Sequence, residues 1–400
     1  MPKNLIKNYI CLVYPLLTLT YFAYLFCSSI RPGICMSAMM LAAAVGTAVT
    51  GLLTVKSAMD MVFAAYLAYN LISGIWCVYY GIPFSVYAGE VSTTALPMVF
   101  YYAGRSFDEK WTGRYYKGYM AASLGMGLIG AVFYVWAPQF YLDFSYVNEF
   151  ISLADAPTSR VRMNSLLGSG VTAVYMTYAL CLSAYFFRKD EKKERIFGFI
   201  CLGLSLIFSF MANQRSSMFS IILVLIYFCT VDYFTGKKKS KKILWIELGA
   251  AGSVVLGIFI FARGVFEKFY IRLASIPQGF GERSESWVAA VNDMKNMWLG
   301  DGLGSRGHRA APFQTYIVAD GGLVKLYTEM GIIGTSLIIF LLVLIFLKTI
   351  KKPDRVVPEI CVIVCAVLMS IGSNVLEMQI CAPIVYFALG SAVRKLNEVY

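Results

Sequence analysis

Apolar runs, each about the length that crosses a bilayer, alternate with short polar turns along nearly the whole chain. At about 1.5 Å of helical rise per residue, about 20 apolar residues span a hydrocarbon core. The pattern predicts twelve spans, at about 10–27, 33–55, 57–80, 86–104, 117–136, 166–187, 196–212, 217–235, 243–263, 318–349, 356–376 and 378–394. The expected fold class is therefore all-α, a single integral membrane domain over 1–400. The first run lacks a small-residue cleavage site and is long enough to stay as a helix. The run at 318–349 is over-long, so it is expected to begin as a short surface helix before IIGTSLIIFLLVLIFL crosses.

The polar connections then sort by charge. RSFDEKWTGRYYK (105–117), RKDEKKER (188–195), TGKKKSKK (235–242) and KTIKKPDR (348–355) are rich in Lys and Arg, as is the C-terminal end at Arg394 and Lys395. Such loops are retained in the cytoplasm. With an even number of spans both termini lie there too. Two sizeable loops, at about 137–165 and 264–317, fall on the outer side, the second a large extracytoplasmic loop between spans nine and ten.

Composition supports this picture and narrows the chemistry. Of 400 residues, 58% are apolar and 14% charged, against about a quarter charged in soluble domains. The net charge of +12 is accounted for by insertion and by anionic lipid beside lysine-rich loops, and no nucleic-acid partner is expected. The ten cysteines form no CxxC pair and most sit inside apolar runs, so they read as small buried hydrophobes. A single histidine argues against a His-based metal centre.

Some charges are left over. MANQRSSM (211–218) is the tip of a tight hairpin on the outer side, and it carries Arg215. One reading is that Arg215 reaches the outer headgroups. The other is that it lines a cavity holding a fixed anion, since arginine near membrane depth is costly without a partner. The outer side also holds Arg160, Arg162, Arg263, Arg272, Arg283, Arg306 and Arg309, whereas lysine dominates the cytoplasmic loops. A guanidinium grips phosphate through two hydrogen bonds, where an ammonium acts as a point charge. The cluster points to a phosphorylated, membrane-anchored ligand.

Ser284 through Met297 is expected to be helical, with Trp287, Val291 and Met294 on one face. GDGLGS (300–305) lacks the Gly-Lys-Ser/Thr of a nucleotide loop, and its glycines are read as a tight turn. Asp320 in DGGLVKLYTEMGIIG stands at a predicted helix start, where an N-cap role competes with a catalytic one. His308 reads as a surface residue.

Four pieces in this order resemble the bacterial oligosaccharide repeat-unit polymerases of the O-antigen ligase/polymerase superfamily. RVRMNSLLGSG is similar to the family's R-x-x-G-x-x-x-N/S-P segment, and NQRSSMFSIILVL to its S-R-S/G followed by an apolar run. GERSESWVAAVNDMKNMWLGDGLGS resembles G-R-x-x-x-W … P-L-x-G-x-G-x-G. VADGGLVKLYTEMGIIG resembles D/H-N-x-Y-L-x-x-L-x-E-x-G-I-x-G. The likeness covers roughly 160–350; the first five spans share only hydropathy with the family. Asp320 stands where the ligase branch has histidine, and Gly321 replaces the usual Asn, a departure that favours polymerase over ligase.

The resemblance implies transfer of an undecaprenyl-pyrophosphate-linked oligosaccharide at the outer face of the plasma membrane, with no metal or other cofactor. The product would be O-antigen, capsule or exopolysaccharide, and a chain-length regulator protein is a candidate partner. Carried over, Arg215 and Arg283 match the pyrophosphate-binding arginines, with Arg272 a weaker third and Arg162 a further candidate. An acceptor hydroxyl needs a base, for which Asp320 ranks before Glu282. Trp287, Trp298, Tyr270 and Tyr316 could stack on sugars, although interfacial belts account for most such aromatics. The alternatives are an O-antigen ligase, or a flippase or transporter of lipid-linked oligosaccharide. A transporter would need charged or broken helices near mid-bilayer, and the spans offer few beyond Asp60 and Glu247.

Overall fold

The computed structural model describes residues 3–136, 139–141, 162–234 and 276–398, with backbone only for 232–234, 276–280 and 282. Every regular element among them is helical. In chain order they are α1 (Lys3–Phe26), α2 (Pro32–Val49), α3 (Ala58–Ile72), α4 (Gly74–Tyr79), α5 (Phe84–Glu90), α6 (Phe100–Ser106) and α7 (Glu109–Trp136). There follow α8 (Ser169–Phe187), α9 (Lys192–Ala212), α10 (Arg215–Phe234), α11 (Ile276–Asn292), α12 (Gly322–Lys351), α13 (Val357–Met369) and α14 (Ala382–Asn397).

Seven helices among the described residues are long and apolar enough to cross a membrane: α1, α2, α3 continued by α4, α7, α8, α9 and α12. α10 and α13 are shorter apolar helices. The run at 86–104 is broken: α5 passes through a π turn at Val91–Ala95 and a short piece at Leu96–Met98 before α6. The run at 378–394 forms α14, which starts at Ala382 and is buried along nearly its whole length. The ninth run, 243–263, lies outside the described residues, as do most of 137–165 and the start of 264–317.

α8 is the axis of the molecule. It is apolar on every side and buried from Thr172 through Phe187, as expected of a helix surrounded by others. Its neighbours are α7, α9, α10 and α13. α6 and α14 cross closely: a Cβ on Gly104 would meet the Phe387 carbonyl at 2.1 Å, and one on Gly390 the Tyr101 carbonyl at 1.9 Å. Small residues permit backbones to approach this way when lipid supplies no hydrophobic drive.

The basic connections gather at one end. Lys3, Lys7, Lys56, Arg105 and Arg394 line a common cavity of about 600 Å³. Lys117 pairs with Glu194, Lys348 bonds Asn397 at 2.6 Å, and Arg355 donates to the Glu398 carbonyl at 3.3 Å. The loop at 235–242 lies outside the described residues. From Lys192 at this end, α9 runs 21 residues, about 31 Å at 1.5 Å per residue, so the 211–218 hairpin is at the opposite end.

α12 does break where the hydropathy suggests, at Gly331, whose φ of 61° and ψ of −167° are non-helical. Its first segment is not a surface helix, however. Lys325, Thr328 and Glu329 are buried there, because acidic and basic partners from α5 and the 300–306 turn close over them.

Candidate functional site

The hairpin tip is built by backbone conformation. α9 ends on Asn213 in the left-handed region (φ 49°), whose N–H bonds the Phe210 and Ser209 carbonyls, and α10 starts two residues on at Arg215. Such an αL residue stops a helix by satisfying its last carbonyls. The Met163 N–H donates to the Met211 carbonyl at 2.8 Å, tying the segment after Arg162 to the tip. Gln214 Nε2 donates to Ser373 Oγ at 3.3 Å, tying the tip to the turn after α13.

α11 comes to the same turn from the other side. Arg283 Nη2 meets Asp320 Oδ2 at 3.1 Å and Nη1 donates to the Gly372 carbonyl at 3.4 Å. Trp287 Nε1 donates to the Asp320 carbonyl at 2.6 Å. Gly321 has φ 134°, and a Cβ on it would lie 2.5 Å from Trp287 Nε1, so only glycine fits there. Asn374 Nδ2 donates to the Val318 and Ala319 carbonyls at 3.3 and 3.1 Å. Trp287 thus holds the Asp320 carbonyl and Asn374 the two carbonyls before it, while the Asp320 carboxylate stays half exposed.

The N-cap role weighed for Asp320 is not seen. Gly321 occupies the cap position of α12 and no side chain caps it; Asp320 turns to Arg283 instead. Arg215 lies within electrostatic range of Arg283, and the two like charges repel. Arg215, Arg283 and Asp320 therefore come together. Arg162 is adjacent through Met163, partly buried. Arg272, Arg263, Arg160 and Tyr270 lie outside the described residues, as does the Glu282 side chain. His308 is exposed, as expected. Trp298 and Tyr316 are exposed as well.

Side-chain exposures of 47% for Arg283 and 52% for Asp320 make this pair weak, worth about 0–1 kcal/mol. An incoming dianion can displace the carboxylate. Two guanidiniums, Arg215 and Arg283, and one carboxylate are thus grouped here, the carboxylate held only by a screened pair.

Arg306 does not belong to this group. It is fully buried and its donors are filled: Nε to Asp301 Oδ2 at 2.9 Å, Nη1 to Asp293 Oδ2 at 2.8 Å and the Tyr316 carbonyl at 3.0 Å, Nη2 to the Asp293 carbonyl at 2.8 Å and to Asp301. The GDGLGS turn makes this possible. Gly300 and Gly302 have φ of 73° and 90°, and Cβ atoms there would strike the Glu329 carbonyl and Cys77.

Beside it is a cluster that hydropathy hides. Lys325 Nζ meets Glu90 Oε1 at 2.9 Å and Glu329 Oε1 at 3.5 Å, and also bonds Glu377. Glu329 Oε1 accepts the Arg306 N–H at 3.0 Å. The i,i+4 spacing of Lys325 and Glu329 was the available signal. Glu90 gave none, being one acid inside an apolar run.

The chain matches no protein-family model and no curated protein. What is established is that the regular elements among the described residues are all helical, several of them fit to cross a membrane.

Proposed function

We propose that this protein polymerises undecaprenyl-pyrophosphate-linked oligosaccharide repeat units at the outer face of a bacterial plasma membrane. In this reading twelve spans cross the membrane, both termini are cytoplasmic with the basic end, and the loop at 264–317 lies outside. The observation that carries it is the pairing of Arg283 with Asp320, beside Arg215, at the end opposite the described basic loops. Two fork-shaped cations and one carboxylate suit a diphosphate leaving group and a hydroxyl nucleophile.

The acceptor sugar hydroxyl attacks the anomeric carbon of the donor. The carbon–oxygen bond to pyrophosphate breaks, and its electron pair leaves with undecaprenyl pyrophosphate. The hydroxyl proton goes to Asp320. Charge builds on the leaving oxygen, so Arg215 and Arg283 stabilise the transition state more than the ground state. Arg162 and Arg272 are further candidates for the diphosphate.

Electrophoresis of surface polysaccharide from a deletion strain tests the class. A ladder collapsing to a single repeat unit supports a polymerase. Full-length polymer left on its lipid carrier indicates a ligase. The flippase reading gains from Glu90, Lys325 and Glu329 inside apolar helices and from the π break after α5; repeat units trapped inside the cell would favour it.

A further inference from the structure

A second cavity opens between the α1–α2 turn, the π turn and the loop before α14. It measures about 640 Å³, and Tyr21, Tyr24, Arg31, Ser92, Arg309 and Gln379 are among its lining. Tyr21 and Tyr24 are one turn apart on α1, so both rings reach the same wall. Gln379 Nε2 donates to Ser37 Oγ at 2.7 Å and to the Ser92 carbonyl at 3.2 Å, holding α2 against the π turn. π turns interrupt helices most often at functional sites. Arg31 and Arg309 are exposed, and neither forms a salt bridge among the described residues. The Arg309 guanidinium lies over Gly89, where a Cβ would sit 2.5 Å from Nη1.

This cavity and the Arg283 site share one connecting segment. Gly372 bonds Arg283, and Gln379 lines the cavity. Seven residues of fully extended chain reach no more than about 25 Å, and this segment includes a helical turn at Val375–Glu377. One oligosaccharide can bridge that gap.

We propose that the cavity is a lipid-phosphate site, in which Arg31 and Arg309 hold the head of a lipid in the same leaflet as the Arg283 site. On the polymerase reading, on which this last step rests, that lipid is the acceptor unit, and its sugar extends toward Asp320. Two guanidiniums match the oxygens of a phosphate or diphosphate, and the flanking tyrosines suit a prenyl chain or a sugar face.

The test is lipid binding by the purified protein in phosphatidylcholine nanodiscs. Wild type is expected to bind two undecaprenyl pyrophosphate molecules per chain. Arg31→Ala with Arg309→Ala should weaken one site at least tenfold or so, about the effect of losing one charge-assisted contact, and Arg283→Ala should weaken the other. If the double variant instead loses only phosphatidylglycerol, the phosphate site stands and the acceptor step is overturned. If wild type binds no undecaprenyl pyrophosphate at all, the polymerase reading fails, and phosphatidylglycerol alone judges the cavity. Unchanged binding of both lipids by the double variant overturns the proposal.

Discussion

Arg306 and Arg283 are 23 residues apart in the sequence, and each faces aspartate, yet their surroundings make them opposites. Arg306 has no exposed surface and spends every donor on Asp293, Asp301 and two carbonyls. Arg283 is 47% exposed and holds one carboxylate and one carbonyl. In the first site a protein charge is already neutralised by protein. In the second, solvent screens a weak pair that a stronger anion can replace. Burial, not residue type, separates a structural arginine from one open to ligand.

The largest effect should come from the buried arginine. Arg306→Ala leaves Asp301 uncompensated, at a cost of about 3–5 kcal/mol, and size-exclusion of solubilised protein should show little folded material. Recovery of a monodisperse variant at wild-type yield would erase the distinction. Next is Arg215→Lys, which retains charge but loses the fork. Polymer should fall by about 10²–10³ on surface polysaccharide gels while single units still appear; normal chain length would refute the two-pronged grip. Asp320→Asn should slow polymer formation by about a hundredfold, as for a lost general base, with melting temperature nearly unchanged because the pair is exposed. A large stability loss there would move Asp320 to the structural side.

The last effect concerns pH. Burial pushes the Glu377 carboxyl from its ordinary 4.5 up to about 8, against the pull of Lys325. The folded chain then holds a proton that the unfolded chain releases, so this group's contribution to stability falls as pH rises from about 4.5 to about 8 and levels off above. Glu377→Gln should flatten the melting temperature across that window. An unaltered slope would show that Glu377 is not the group responsible.

Much of this was legible because it rests on local rules. Span length marked α1, α7, α8, α9 and α12, and the glycines of GDGLGS marked a tight turn. Loop charge singled out Arg215 and Arg283 as unexplained. The pairing of Arg283 with Asp320 crosses 37 residues, and no periodicity carries that. Hydropathy also scores α1, which keeps many residues exposed, like α8, which is buried on all sides, since lipid and protein interiors are equally apolar. The Lys325 cluster failed for the same reason: isolated charges in apolar runs were averaged away, and only packing joins Glu90 to Glu377. Of the two roles weighed for Asp320, the cap falls away because Gly321, with its positive φ, takes that place.

The central claim is that the Arg215 and Arg283 guanidiniums at this end hold a departing diphosphate. The direct measurement is undecaprenyl pyrophosphate release from lipid-linked repeat units by the purified, reconstituted protein, with Arg283→Ala alongside. The account predicts polymer and carrier release by wild type, and release at least about a hundredfold slower in the folded variant. Equal rates from the two proteins would contradict it.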